Sequence, residues 1–263
     1  VPAPVCVPVP DLKYKVLTMW NILRKAPKIH LFVRHCHFST ISAHKKKIEE
    51  VTRESCFENL LQTIEGKSVQ LTFLLDTFQK MERPHFVKEQ KEYPVVEICE
   101  GTEAGSFLRL LDHVASLKLD PDAIVYFLED DYLHREGWTE ILLEGFSIPE
   151  ADYVTLFDHR DKYFHPNYQT LQSKIFHTSS CHWRTTPSTT NTFAMRYKTL
   201  MRDLEIQRAF SQGVKISKDH EKFCKLAERG AKLISSIPGW STHNELEFAS
   251  PCIEWKKFAF IKK

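Results

Sequence analysis

The chain has 263 residues, 42% hydrophobic and 27% charged, the balance of a globular protein long enough for one large α/β domain or two small ones. Lysine and arginine number 36 against 34 acids, and a formal net charge of +2 argues against a protein built to coat nucleic acid. The 7 cysteines are scattered without a CxxC pair, as in a reduced intracellular chain, and no apolar run approaches the ~20 residues of a membrane helix.

Val1 to Pro10 is apolar but broken by repeated proline, so residues 1–27 read as an extended arm rather than a signal peptide. Lys28 to His37 reads as the first core strand, apolar until Arg34. Ser39 to Ile64 reads as helix; its second half puts Phe57, Leu60, Leu61 and Ile64 on one face, and Gly66 stops it. Val69 to Leu75 is a second strand ending at Asp76. Val95 to Ile98 is a third, leading through Gly101 to Ser106 into a helix that runs to Leu117. Pro121 then breaks the chain.

Ala123 to Tyr132 is the most informative stretch. An apolar run suited to a strand buried on both faces ends in Glu129, Asp130 and Asp131. Alternation along an extended chain predicts Glu129 and Asp131 on one side and Asp130 on the other. Oxygen donors at the carboxyl end of a sheet strand stand where open α/β sheets bind ligands, and they are the donors Mg²⁺ or Mn²⁺ prefers. The plainer alternative is a solvated acidic loop.

A helix is expected from Gly137 to Phe146, a strand from Tyr153 to Asp158 and a long loop with hairpin pieces from Asp161 to Arg184. Thr189 to Arg196 reads as a strand. Asp219, His220 and Glu221 open a helix running to Arg229, Gly230 stops it, and Ala231 to Ile237 is the last strand. Strands alternating with helices predict a doubly wound, mostly parallel sheet flanked by helices, here one domain over residues 28–250 with a basic, aromatic tail over 251–263.

The order of these pieces from Lys28 to His243 resembles the GT-A class of nucleotide-sugar-dependent glycosyltransferases, above all the inverting, family-2-like type. Leu128-Glu129-Asp130-Asp131 is similar to the acidic DxD-type metal motif, with Glu129 in place of the first aspartate. Asp76 falls where such enzymes contact the nucleobase or ribose. Asp219-His220-Glu221 resembles the segment that supplies the base, and His243 the late histidine that some members add as a metal ligand.

The resemblance implies transfer of a sugar from a UDP- or GDP-type donor to a hydroxyl of a glycan, lipid-linked or protein acceptor, with inversion. Mn²⁺ or Mg²⁺ would be held by Asp131, Glu129 and His243. Asp219 would be the general base, with Glu221 the second choice. Arg34, Asp76, Gly105, Glu129 and Asp130 would face the donor, and Trp183 and Arg184 are weaker candidates for the acceptor. Each has a plainer reading: a helix cap for Asp219, a turn for Asp76, an exposed loop for His243, a core anchor for Trp183.

The first strand ends in Val33-Arg34-His35-Cys36-His37 rather than the Pro-Thr-Tyr-Asn-like turn common in the family. A nucleotidyltransferase would carry a glycine-rich loop there, and residues 34–40 contain no glycine. A zinc or nucleic-acid module on His35-Cys36-His37 and Cys181-His182 lacks the ligand spacing and the charge. An inactive scaffold of the same fold is the other alternative. The expected setting is cytoplasmic. The tail either touches an anionic membrane as a peripheral contact or packs its apolar side on the domain.

Overall fold

The apolar runs of the first half become adjacent strands. In this computed structural model, which describes residues 28–39, 42–79 and 83–259, β1 (Ile29–Cys36) lies between β2 (Val69–Asp76) and β4 (Ile124–Glu129), parallel to both. The expected arm over residues 1–27 lies outside the described residues, as do residues 260–263 of the tail. Strand β3 (Val95–Ile98) adds in parallel to the far side of β2. Leu31, Phe32, Val33, Phe73 and Leu74 are buried whichever way they point, which is why these strands read as continuous apolar runs rather than alternating ones.

The remaining described strands are β5 (Tyr132–His134), β6 (Tyr153–Thr155), β7 (Ile175–His177), β8 (His182–Thr185), β9 (Phe193–Arg196), β10 (Leu233–Ile237) and β11 (Ser241–His243). Among the described residues they complete a nine-stranded sheet ordered β3-β2-β1-β4-β9-β6-β10-β8-β7, with β5 and β11 as a separate antiparallel pair. Only β8 and β9 oppose the common direction. The helices are α1 (Arg53–Ile64), α2 (Glu103–Ser116), α3 (Trp138–Gly145), α4 (Asp161–Phe164), α5 (Tyr197–Ala209), α6 (Asp219–Glu228) and α7 (Lys256–Ala259). Apolar clusters form on both faces of the sheet, one with Leu60, Trp138 and Leu142, the other with Phe107, Leu110, Leu200 and Phe223. This is the doubly wound, mostly parallel α/β fold expected for a GT-A-like chain.

Several elements differ from expectation, β5 and the short α4 among them. The helix expected from Ser39 begins only at Arg53, because Thr52 caps it: the Thr52 hydroxyl accepts the Ser55 N–H and the Ser55 hydroxyl accepts the Thr52 N–H. The described residues before it are held from outside, with Ile48 N–H donating to Asn244 Oδ1 and Asn244 Nδ2 donating to Val51 O. Helix α5 was not expected from the pattern. Its buried face includes Asp203 and Gln207, and Asp203 accepts the Tyr153 hydroxyl at 2.7 Å. Strand β11 also lies beyond the expected last strand.

In the tail, Trp255 is buried and its Nε1–H donates to Ser250 O at 2.7 Å, in a cluster with Ile48, Val51 and Leu133. Lys256 pairs with Glu49 and Glu50. The tail's described part thus packs on the domain. Among the described residues no helix is long and apolar enough to cross a membrane.

Candidate active site

A cavity of about 260 Å³ opens over the carboxyl ends of β1, β2 and β4. Parallel strands converge their carboxyl ends, and the loops leaving them make the walls. Glu129, Asp130, Asp131, Asp219, His243, Arg34 and Asp76 all line it. Alternation does not separate the three consecutive acids as expected, because β4 ends at Glu129 and the chain turns through Asp130 and Asp131 into β5.

Each acid has its own partners. Arg34 and Glu129 are register neighbours on β1 and β4, so their side chains share a face and pair at 3.2 Å. Asp130 accepts the Cys36 N–H at 3.3 Å and pairs with Arg53 Nε at 3.4 Å. Asp131 meets His243 Nε2 through Oδ1 and Lys47 Nζ through Oδ2, both at 3.0 Å. The β5–β11 ladder, which aligns His243 with Tyr132, brings the histidine there.

These settings spread the acidities. Burial, with the charges of Glu103 and Asp131 nearby, pushes Glu129 up to about 7 against the pull of Arg34. Burial and the Asp131 charge push Asp130 up to about 6 despite Arg53. Asp131 goes the other way: burial opposes its ionisation, but His243 and Lys47 hold it well below the usual carboxylate range. Burial disfavours charge on His243 as well, yet Asp131 and Glu245 carry it up to about 9. Its Nδ1 lies 3.3 Å from Glu245 Oε2, and Lys45 pairs with the same oxygen at 2.9 Å.

A carboxylate facing an imidazole whose other nitrogen is held by a second carboxylate is the pattern that orients metal-ligating histidines. Among the described residues no group of three or more histidine, cysteine, aspartate or glutamate side chains is arranged as a self-sufficient metal centre. A divalent cation held by Asp131 and His243 would have to displace Lys47 and the imidazole proton, and would take its remaining ligands from phosphate and water. Glu129, expected as a third ligand, has one oxygen on Arg34 and the other 3.4 Å from the Thr192 hydroxyl.

Asp219, the first residue of α6, faces the cavity with its side chain 25% exposed. Burial, with the Glu103 charge, raises it to about 6 against the pull of Lys222. Glu221, the second choice for the base, is exposed and does not line the cavity. One turn position decides between them: Asp219 faces inward, Glu221 outward.

Other expected contacts are revised. Asp76 lines the wall, but its carboxylate already accepts the N–H groups of Phe78, Glu100 and Gly101 at 2.8–3.1 Å, so it shapes the loop. Gly105 is not at the cavity. Its N–H donates to the capping Thr102 hydroxyl, and a Cβ there would stand 2.7 Å from that oxygen. Gly101 lines the cavity instead, with φ +69° and the Phe78 ring where a Cβ would be. Arg34 is buried, donating to Ser106 Oγ and Glu103 O at 2.9 Å besides its ion pairs.

Trp183 is completely buried on β8 with its Nε1–H on Thr178 Oγ1, which closes it to acceptor stacking. Arg184 is buried too, tied to Asp158 at 2.8 Å and lying over the Tyr163 ring. Neither lines the cavity. Lys47, Arg53, Glu103 and Glu245 complete the site and stand out in no sequence motif. The one available signal was the basic run Lys45-Lys46-Lys47, which is easily taken for the outer face of a helix.

No protein-family model matches the chain, and no curated protein matches its sequence. Solved structures with a similar fold include a CMP:2-keto-3-deoxy-manno-octonic acid synthetase in complex with CTP. It is 14% identical, with a TM-score of 0.47 over 81% of this chain and 92% of that one. The galactosyltransferase LgtC, in complex with donor and acceptor sugar analogs, is 8% identical, with a TM-score of 0.45 over 78% and 72%. Residues 1–349 of TarS from S. aureus are 13% identical, with a TM-score of 0.47 over 79% and 57%.

Proposed function

We propose that the protein is a nucleotide-sugar-dependent glycosyltransferase that binds a UDP- or GDP-type donor in this cavity and passes the sugar to a hydroxyl acceptor with inversion. The observation that carries the reading is the meeting of Asp131, His243 and Asp219 in one cavity at the carboxyl ends of the parallel strands. A diphosphate leaving group needs positive charge, and an attacking hydroxyl needs a base. The site offers both.

Asp131 and His243 would hold Mn²⁺ or Mg²⁺, and such an ion, when bound, supplies charge neutralisation to the departing diphosphate. Lys45 and Arg53 line the same wall and add fixed positive charge. Asp219 takes the proton of the acceptor hydroxyl at its free carboxylate oxygen as that hydroxyl attacks.

Calorimetric titration of UDP and GDP into the protein, with and without Mn²⁺, tests the reading. Binding that requires the metal and is lost in Asp131→Ala is expected. The absence of binding by either nucleotide, whatever the metal, would overturn it.

A further inference from the structure

Lys222 is a fully buried lysine, and nothing in the reaction as described uses it. Its ammonium sits among three rings, 4.6 Å from the centroid of Phe107, 5.0 Å from Phe193 and 5.4 Å from Phe223. An aliphatic side chain would fill that space without the cost of taking a cation out of water. What only a lysine provides there is its pair of oxygen partners. Nζ donates to Asn191 Oδ1 and, at 3.1 Å, to Asp219 Oδ1.

From Asn191 the chain of contacts continues across the floor of the cavity. Asn191 Nδ2 donates to Glu103 Oε1 at 2.7 Å, the same oxygen pairs with Arg34 Nη1 at 2.9 Å, and Arg34 Nη2 reaches Glu129. Glu103 Oε2 accepts the N–H of Ser217, which lies just before α6 and so fixes where that helix starts. The sequence of groups is acid, cation, acid, amide, cation, acid, each satisfied by the next. It runs from the acidic turn to Asp219.

We infer that Lys222 is a positioning residue for Asp219: it ties down one carboxylate oxygen, leaving the other free for the cavity, and joins that carboxylate to the acidic turn through Asn191, Glu103 and Arg34. The inference rests on the reading of Asp219 as the base. The charged groups facing Asp219 are Lys222 from α6, Glu103 from α2 and Arg34 from β1. Lys222 is the only one of these three bonded to it, so its removal leaves the repulsion of Glu103 less opposed.

The test is a carbon NMR titration of protein labelled at the aspartate carboxyl carbons, with the Asp219 signal assigned by its loss in Asp219→Asn. In Lys222→Met the Asp219 midpoint is expected to move up by about one pH unit or more relative to the unmodified protein. An unchanged midpoint in folded Lys222→Met overturns the inference. Should that variant fail to fold, Lys222→Gln must show the upward shift; if neither folds, Lys222 serves only the fold and the inference fails. The titration uses no nucleotide and no acceptor, so its outcome is separate from the calorimetric test of the proposed function.

Discussion

Asp131 Oδ1 and His243 Nε2 lie 3.0 Å apart, and Glu245 stands on the far side of the same imidazole. The two acids hold the ring from opposite edges, so its direction is set before any ligand arrives. Replacing His243 by alanine is expected to weaken Mn²⁺-assisted nucleotide binding. Glu245→Gln, which loosens the outer nitrogen and Lys45 together, should cost about 10- to 100-fold in affinity for the proposed metal. Calorimetry with Mn²⁺ held at several fixed concentrations measures both.

On the proposed mechanism, the pH dependence of transfer should follow Asp219. A base works only when ionised, and this carboxyl is raised to about 6, so the rate should fall away below that pH and level off above it. Asp219→Asn is expected to lower the rate by about 10²–10⁴-fold while leaving nucleotide affinity nearly unchanged. Initial rates across the pH range, with the nucleotide sugar whose nucleotide binds, check both outcomes. A large loss of nucleotide affinity would instead place Asp219 on the donor.

Glu103 contributes to stability in a definite pH window. Burial opposes its charge, but Arg34, Ser217 and Asn191 bring it from an ordinary 4.5 down to about 2. A carboxyl lowered on folding stabilises the native state above its unfolded value, and that contribution is lost as pH falls through the folded value. Glu103→Gln should therefore cost on the order of 3 kcal/mol at neutral pH, shrinking between about pH 4.5 and pH 2. Urea unfolding at a series of pH values measures it.

Trp183 is a residue of the core and not of the site. Trp183→Ala should destabilise the protein by about 3–5 kcal/mol, as removal of large buried rings does. Nucleotide binding by the fraction that remains folded should be unchanged. Denaturant melts together with the calorimetric titration separate the two effects, and a stable variant with weakened acceptor use would restore Trp183 to the site.

The sheet was readable because β1, β2 and β4 are buried on both faces, and such strands leave long unbroken apolar runs. Helix α5 was hidden for the opposite reason: Asp203 and Gln207 sit on its inward side, both bonded to the Tyr153 hydroxyl, and a polar pair there erases the apolar stripe. The stretch before Arg53 does not continue the helix, and its Lys45 and Lys47 reach Glu245 and Asp131, far along the chain. Asp131 and Asp219 could be placed at the cavity because one closes the acidic end of an apolar run and the other opens a helix, while His243 was reached only through the family resemblance. Glu103 could not, since its partners Arg34, Asn191 and Ser217 all lie far along the chain, whereas Lys222 carried only an ordinary i,i+3 helical spacing from Asp219. Trp183 shows the reverse error, a polar-looking loop whose aromatic turned inward.

Asn244 fastens the residues before α1 to the segment after β11, next to the histidine that faces Asp131. A ribosome releases the acidic turn long before it releases His243 or Asn244. Until synthesis has passed His243, the growing chain can pair β1, β2 and β4, yet the turn at their ends has no imidazole opposite it and one wall of the cavity is missing. β1, β2 and β4 are therefore made well before the residue that completes the cavity at its acidic turn.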